Sequence, residues 1–142
     1  MASMLRKLTS AEVVFSVEAT EDDLPVEGNA QVSDDEEADR RLCRELLLRR
    51  ATGDVWAWAV VRVTATWKCF RGTVVLGGCS YANEAAFLED AYYEDMKYRA
   101  LEDLQDRLQQ LYDNLLELML DETSQLRRKV AEFEELLADD GK

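Results

Sequence analysis

The chain has 142 residues, 47% of them apolar and 33% charged, with a formal net charge of −13 and no histidine. That apolar content supports one folded core, while the negative charge argues against direct binding of nucleic acid or anionic membranes, which relies on Lys and Arg to neutralise phosphates. The missing histidine removes the commonest general acid–base and the commonest metal ligand.

Met1 to Ser10 lacks the continuous apolar stretch of a signal peptide, and no run approaches the length of a transmembrane helix. Cys43, Cys69 and Cys79 have no CxxC pairing, so neither a disulfide framework nor a zinc knuckle is written here. A soluble, cytoplasmic protein is the expectation.

In residues 12–20, Val13, Phe15, Val17 and Ala19 alternate with Val14, Ser16 and Glu18, which predicts a half-buried first strand. Residues 21–32 hold acids, the only proline (Pro25), Gly28 and Asn29, and read as a loop. Ser33 followed by Asp34, Asp35 and Glu36 predicts a capped helix start. The helix carries Ala38, Leu42 and Leu46 on one stripe, has Arg49 and Arg50 in its last turn, and ends at Gly53. Arg40, Arg41, Arg44, Arg49 and Arg50 are read as a solvated helix face in preference to a phosphate-binding patch, because acids interleave with them.

Val55 to Lys68 predicts the strongest strand. Val55, Ala57, Ala59, Val61, Val63, Ala65 and Trp67 share one small, apolar face suited to helix packing; Trp56 and Trp58 start the other, which turns polar. That aromatic pair suits core packing first and a protein-contact patch second. Cys69 to Gly72 predicts a turn, Thr73 to Leu76 a returning strand, and Gly77-Gly78 a bulge before Cys79-Ser80-Tyr81.

Asn83 predicts an N-cap, followed by helix with a break near Asp90–Tyr93 and then a continuous run to about Leu137. Leu101, Leu104, Leu108, Leu111, Leu115 and Leu118 recur at alternating spacings of three and four, the pattern of a helix that packs along another helix. Tyr112, Leu116 and Leu120 widen the stripe. After Leu118 the register slips, and a shifted seam resumes at Met119, Leu126, Val130, Phe133 and Leu137. Residues 84–142 carry 17 Asp and Glu against 7 Lys and Arg, a net of −10.

Catalytic chemistry finds little support in the residue inventory. Glu89, Asp90, Glu94 and Asp95 are the one carboxylate group that invites a metal, but neither EF-hand spacing nor a Gly-rich phosphate cradle accompanies them. Cys79 or Ser80 in the Gly77–Tyr81 segment lacks a histidine to activate it. Neither enzymatic activity nor a cofactor is expected.

The block from Gly53-Asp54-Val55-Trp56-Ala57-Trp58 through Val61-Arg62-Val63-Thr64, with Leu76-Gly77-Gly78-Cys79-Ser80-Tyr81 and Tyr92-Tyr93-Glu94-Asp95-Met96, resembles a family of small acidic proteins of bacteriophage and mobile-element genomes. The resemblance covers roughly residues 12–105; the leucine-rich extension departs from it. The family has no established activity, so no functional residues carry over. A phage or mobile-element origin implies the class of acidic inhibitors of host nucleic-acid-handling or defence machinery, anti-CRISPR-like proteins among them, some of which mimic DNA in charge. The location would then be the host cytoplasm.

The expected fold is α+β: a small antiparallel sheet of about three strands packed by helices, with a long C-terminal leucine-rich helix. Residues 1–98 form the α+β domain and 99–142 a long acidic amphipathic helical extension. The expected function is a non-enzymatic acidic interaction module that meets a basic protein surface, such as that of a nucleic-acid-binding complex, without binding nucleic acid or membrane itself. Glu89, Asp90, Glu94, Asp95, Glu102, Asp103, Asp106, Trp56 and Trp58 are the candidate partner-binding residues, and the six leucines from Leu101 to Leu118 are the candidate homodimer seam. The alternative is a structural or assembly protein whose C-terminal helix drives oligomerisation.

Overall fold

A computed structural model describes residues 4–30 and 34–140. The chain is α+β: a three-stranded antiparallel sheet in the order β1 (Val14–Glu21), β2 (Ala59–Trp67), β3 (Phe70–Cys79), with helices α1 (Glu36–Ala51), α2 (Glu84–Leu88) and α3 (Ala91–Asp140). It divides into two compact units, Lys7–Gln105, and Met1–Arg6 with Asp106–Lys142. The division falls seven residues beyond the expected boundary at 98/99. The reason is that Met96, Ala100 and Leu104 are all buried, so this stretch of α3 belongs with the sheet.

The sheet has one covered face. Phe15, Ala65 and Gly72 lie in one row, Val17, Val63 and Val74 in the next, and Ala19, Val61 and Leu76 in a third. The β2 members, Val61, Val63 and Ala65, are fully buried, as the small apolar face of that strand predicts. Gly72 shows how closely α3 approaches: a Cβ there would collide with the backbone N of Leu104 and O of Ala100. Only glycine admits a helix backbone this near a strand. The other face, with Ser16, Glu18, Thr20, Arg62, Thr64 and Thr73, is polar and largely exposed.

Several local expectations shift. β2 begins at Ala59, four residues after Val55, because Asp54 accepts a hydrogen bond from the Trp56 N–H at 3.1 Å and opens a 3-10 turn, Val55–Ala57. Trp56 and Trp58 therefore do not share a strand face. The hairpin turn is the pair Lys68–Cys69, with Trp67 opposite Phe70, and Gly72 lies inside β3, not in the turn. Lys68 takes the left-handed conformation this turn needs, φ 54°. The N-cap of α1 is Asp35, whose carboxylate accepts from the Glu37 and Ala38 N–H groups; Ser33 lies outside the described residues. Asn83 caps α2, the chain breaks at Glu89–Asp90, and α3 then runs without interruption.

A smaller core sits beside α1. Leu46 and Trp58 pack with Val26 and Ala30, with Leu42 and Cys43 partly buried against them. The Trp58 indole N–H donates to the Leu24 carbonyl at 2.8 Å, pinning the 21–30 loop. Arg49 and Arg50, read from sequence as solvated, tie the end of α1 to the sheet. Arg49 donates to the Asp54 carboxylate at 2.8 Å and to the Tyr81 carbonyl, and Arg50 to Glu21 and to the Asp22 carbonyl at 3.1 Å.

Candidate interaction surface

Two places invite a functional reading: the segment around the β3 bulge and the exposed faces of α3. At the bulge, Ala59 pairs with Cys79 and Val61 with Leu76, so Gly77 and Gly78 together oppose Val60. The Asp22 carboxylate closes this irregularity, accepting from the Gly78 N–H at 2.7 Å with one oxygen and from the Leu24 N–H at 2.9 Å with the other. A cavity of about 440 Å³ opens here, lined in part by Trp58, Gly78, Cys79, Tyr81 and Asp90.

The chemistry of that cavity is muted. Burial pushes the Cys79 thiol up to about 11, with the Asp22 and Asp90 charges adding to the effect. At neutral pH it is a thiol and not the nucleophilic thiolate. The Tyr81 hydroxyl donates to Asp90 at 2.6 Å; burial, and next this bond, push its pKa up as well. The same bond is the main cause holding the Asp90 carboxyl below its ordinary value. The cluster is a locked hydrogen-bonded structure, with Tyr81, Phe87, Trp56 and Tyr93 packed edge-on or tilted around it.

The candidate partner-binding acids do not form one group. Asp90 is engaged by Tyr81, and Asp103 accepts from the Thr73 N–H at 2.9 Å, fastening α3 to β3. Glu94 pairs with Lys97 and Asp95 with Arg99, both at 2.9 Å and both at the surface, where such pairs are worth about 0–1 kcal/mol. Glu89 and Glu102 are exposed on the first unit, and Asp106 is exposed on the second. Among the described residues no group of three or more Cys, Asp or Glu is arranged to hold a metal ion. Trp58 is buried in the α1 core, and Trp56 packs on Phe87 at 5.5 Å between ring centres; neither stands as a free contact patch.

The leucine seam divides in the same way. Leu104 is 0% exposed and belongs to the core, so it is unavailable to a second chain, and Leu101 and Leu108 are half-buried. From Leu111 to Leu137, by contrast, ten large apolar side chains are 41–68% exposed. Isolated exposed leucines are ordinary, whereas ten along one helix make a large apolar surface that nothing among the described residues covers. Two glutamines that the sequence did not flag also have structural roles. Gln105 accepts from the Leu8 N–H and Gln109 from the Leu5 N–H, each at 2.9 Å, so the N-terminal segment lies along α3. Their spacing of four on a helix was the available signal, and nothing in the sequence named the segment they receive. Among the described residues no helix is long and apolar enough to cross a membrane. Compared with protein-family models, curated proteins and solved structures, the chain matches none.

Proposed function

We propose that this chain is a non-enzymatic protein-interaction module in which the part of α3 beyond Asp106 is the association element. The observation that carries the reading is the exposed apolar run from Leu111 to Leu137. At roughly 100 Å² for a fully exposed aliphatic side chain, the run exposes on the order of 600 Å² per copy, and the part of it on one helix face gives a helix pair an interface at the small end of specific ones. The locked Cys79–Tyr81–Asp90 cluster and the absence of histidine in the sequence support the non-enzymatic part. The test is the mass of the full chain by light scattering at low and high salt. Association driven by apolar burial persists at high salt and is lost in Leu126→Glu/Phe133→Glu. A wild-type monomer at every concentration would remove the reading.

A second reading keeps the charge in view: an acidic inhibitor, of phage or mobile-element origin and acting in the host cytoplasm, that occupies a basic surface of nucleic-acid-handling machinery. The net charge of −13 and the exposed Glu89, Glu102 and Asp106 favour it. It requires a basic partner whose binding weakens steeply with salt. Neutralising those three acids together should then weaken binding without unfolding the chain.

A further inference from the structure

The register of the exposed run says more than that it is apolar. Half-buried Leu116 and the exposed Met119, Thr123, Leu126, Val130, Phe133 and Leu137 follow one another at spacings of three, four, three, four, three and four. This is a second seam, continuous through the slip after Leu118, and it lies wholly in the second unit. Its one polar member is Thr123, whose hydroxyl already donates to the Met119 carbonyl at 2.9 Å. Burying it leaves no unmet donor. Written as heptads, Leu116, Thr123, Val130 and Leu137 take position a, and Met119, Leu126 and Phe133 take d.

We infer that this seam pairs with the same seam of a second copy, parallel and in register. The inference rests on the association reading above and adds the occupant, the orientation and the residues. Charge complementarity carries the orientation. Beside the seam, Glu122 and Lys129 fall at g, and Arg127 and Glu134 at e; all four are exposed. In a parallel pair, a g residue meets the e residue five positions further along the other strand. Glu122 thus meets Arg127 of the second copy, and Lys129 meets Glu134. Symmetry repeats both pairs, giving four opposite-charge contacts and no like-charge one along these flanks. At the next g–e step upstream, Leu115 meets Leu120 and extends the apolar surface. At the centre of the seam, Thr123 and Val130 are β-branched at a and Leu126 is leucine at d, the combination that favours parallel two-stranded pairing; Leu116 and Leu137 at a, and Met119 and Phe133 at d, do not carry that signature.

The deciding experiment is sedimentation equilibrium of the full chain at low salt, from about 1 to 200 μM, on wild type, Leu126→Glu, Glu122→Arg, and Glu122→Arg/Arg127→Glu. Circular dichroism reports that each variant stays folded. Wild type should dimerise and Leu126→Glu should not. Glu122→Arg should raise the dimer Kd about tenfold, by setting like charges against Arg127 twice, and the double variant should restore it. Residues five apart on one helix do not face each other, so rescue within a single chain is excluded. A dimer broken by Leu126→Glu but made weaker still by the double charge exchange would overturn the parallel register and leave helix association standing. A dimer indifferent to Leu126→Glu would overturn the seam. A wild-type monomer throughout would overturn the inference together with the association reading.

Discussion

The Asp22 carboxylate holds the Gly78 N–H at 2.7 Å, joining the end of β1 to the bulge of β3 across 56 residues of chain. Gly78 has φ +65°, and its N–H is turned away from the regular ladder toward Asp22. Asp22 itself is buried while both of its donors lie on partly exposed backbone, and hydrogen bonds to a charged acceptor exceed neutral ones. Asp22→Ala removes the acceptor of both the Gly78 and Leu24 N–H groups, and should lower unfolding free energy by about 1–2 kcal/mol in a urea titration. Asp22→Asn keeps one acceptor oxygen and should cost about half as much. Equal, small effects of both would mean that water replaces the carboxylate.

Gly72 makes the second prediction. Its missing side chain is what lets the α3 backbone at Ala100 and Leu104 rest on β3. The obstruction is main chain, which cannot swing aside as a side-chain tip would. Gly72→Ala should therefore displace the helix and cost about 3 kcal/mol or more. The neighbouring Thr73→Ala, at an exposed position, should stay within about 0.5 kcal/mol. A Gly72→Ala protein as stable as wild type would mean that the helix rides higher over the sheet.

The two glycine regions also show how much was legible in the sequence. Gly77-Gly78 announced a bulge, since paired glycines in a strand have few other uses, and the alternation from Ala59 to Ala65 located the buried face of β2. The register of Trp56 and Trp58 was not legible. One carboxylate, Asp54, turns the chain into a 3-10 turn and breaks the sequence alternation between Val55 and Ala59. Leu104 faces the core and not a second helix for a related reason. A leucine repeat on a helix has the same spacing whether it faces a sheet or another helix, and only tertiary packing tells which. The sheet-facing stripe Met96, Ala100, Leu104 runs at i+4, and its small middle member is chosen for closeness to Gly72.

That division of the seam is itself measurable. Leu104→Ala empties a fully buried site and should cost about 2–5 kcal/mol, with no direct effect on association. Leu118→Ala, at 61% exposure and outside the second seam, should leave both stability and mass nearly unchanged. Unfolding curves and light scattering on the two variants separate the roles. A Leu104→Ala chain that keeps wild-type stability would return this residue to the surface.

Cys79 supplies the pH dependence. Its thiol titrates near 9.0 when unperturbed and is pushed up to about 11 in the fold, by burial first and then by Asp22 and Asp90. Below pH 9 the thiol is protonated in both states, and folding carries no titration cost from it. Between pH 9 and 11 the unfolded chain loses this proton while the folded chain keeps it, so the unfolded state gains and stability falls. The loss should be on the order of 2 kcal/mol, complete once pH passes the folded value. Cys79→Ala should remove this component of the alkaline fall while leaving the Tyr81 contribution, which has the same sign because that hydroxyl is also raised. Thiol labelling at pH 8 gives an independent check: exposed Cys69 should react at once, and Cys79 only as the protein opens. Prompt labelling of both would show that the carboxylates and the burial do not hold Cys79 as described.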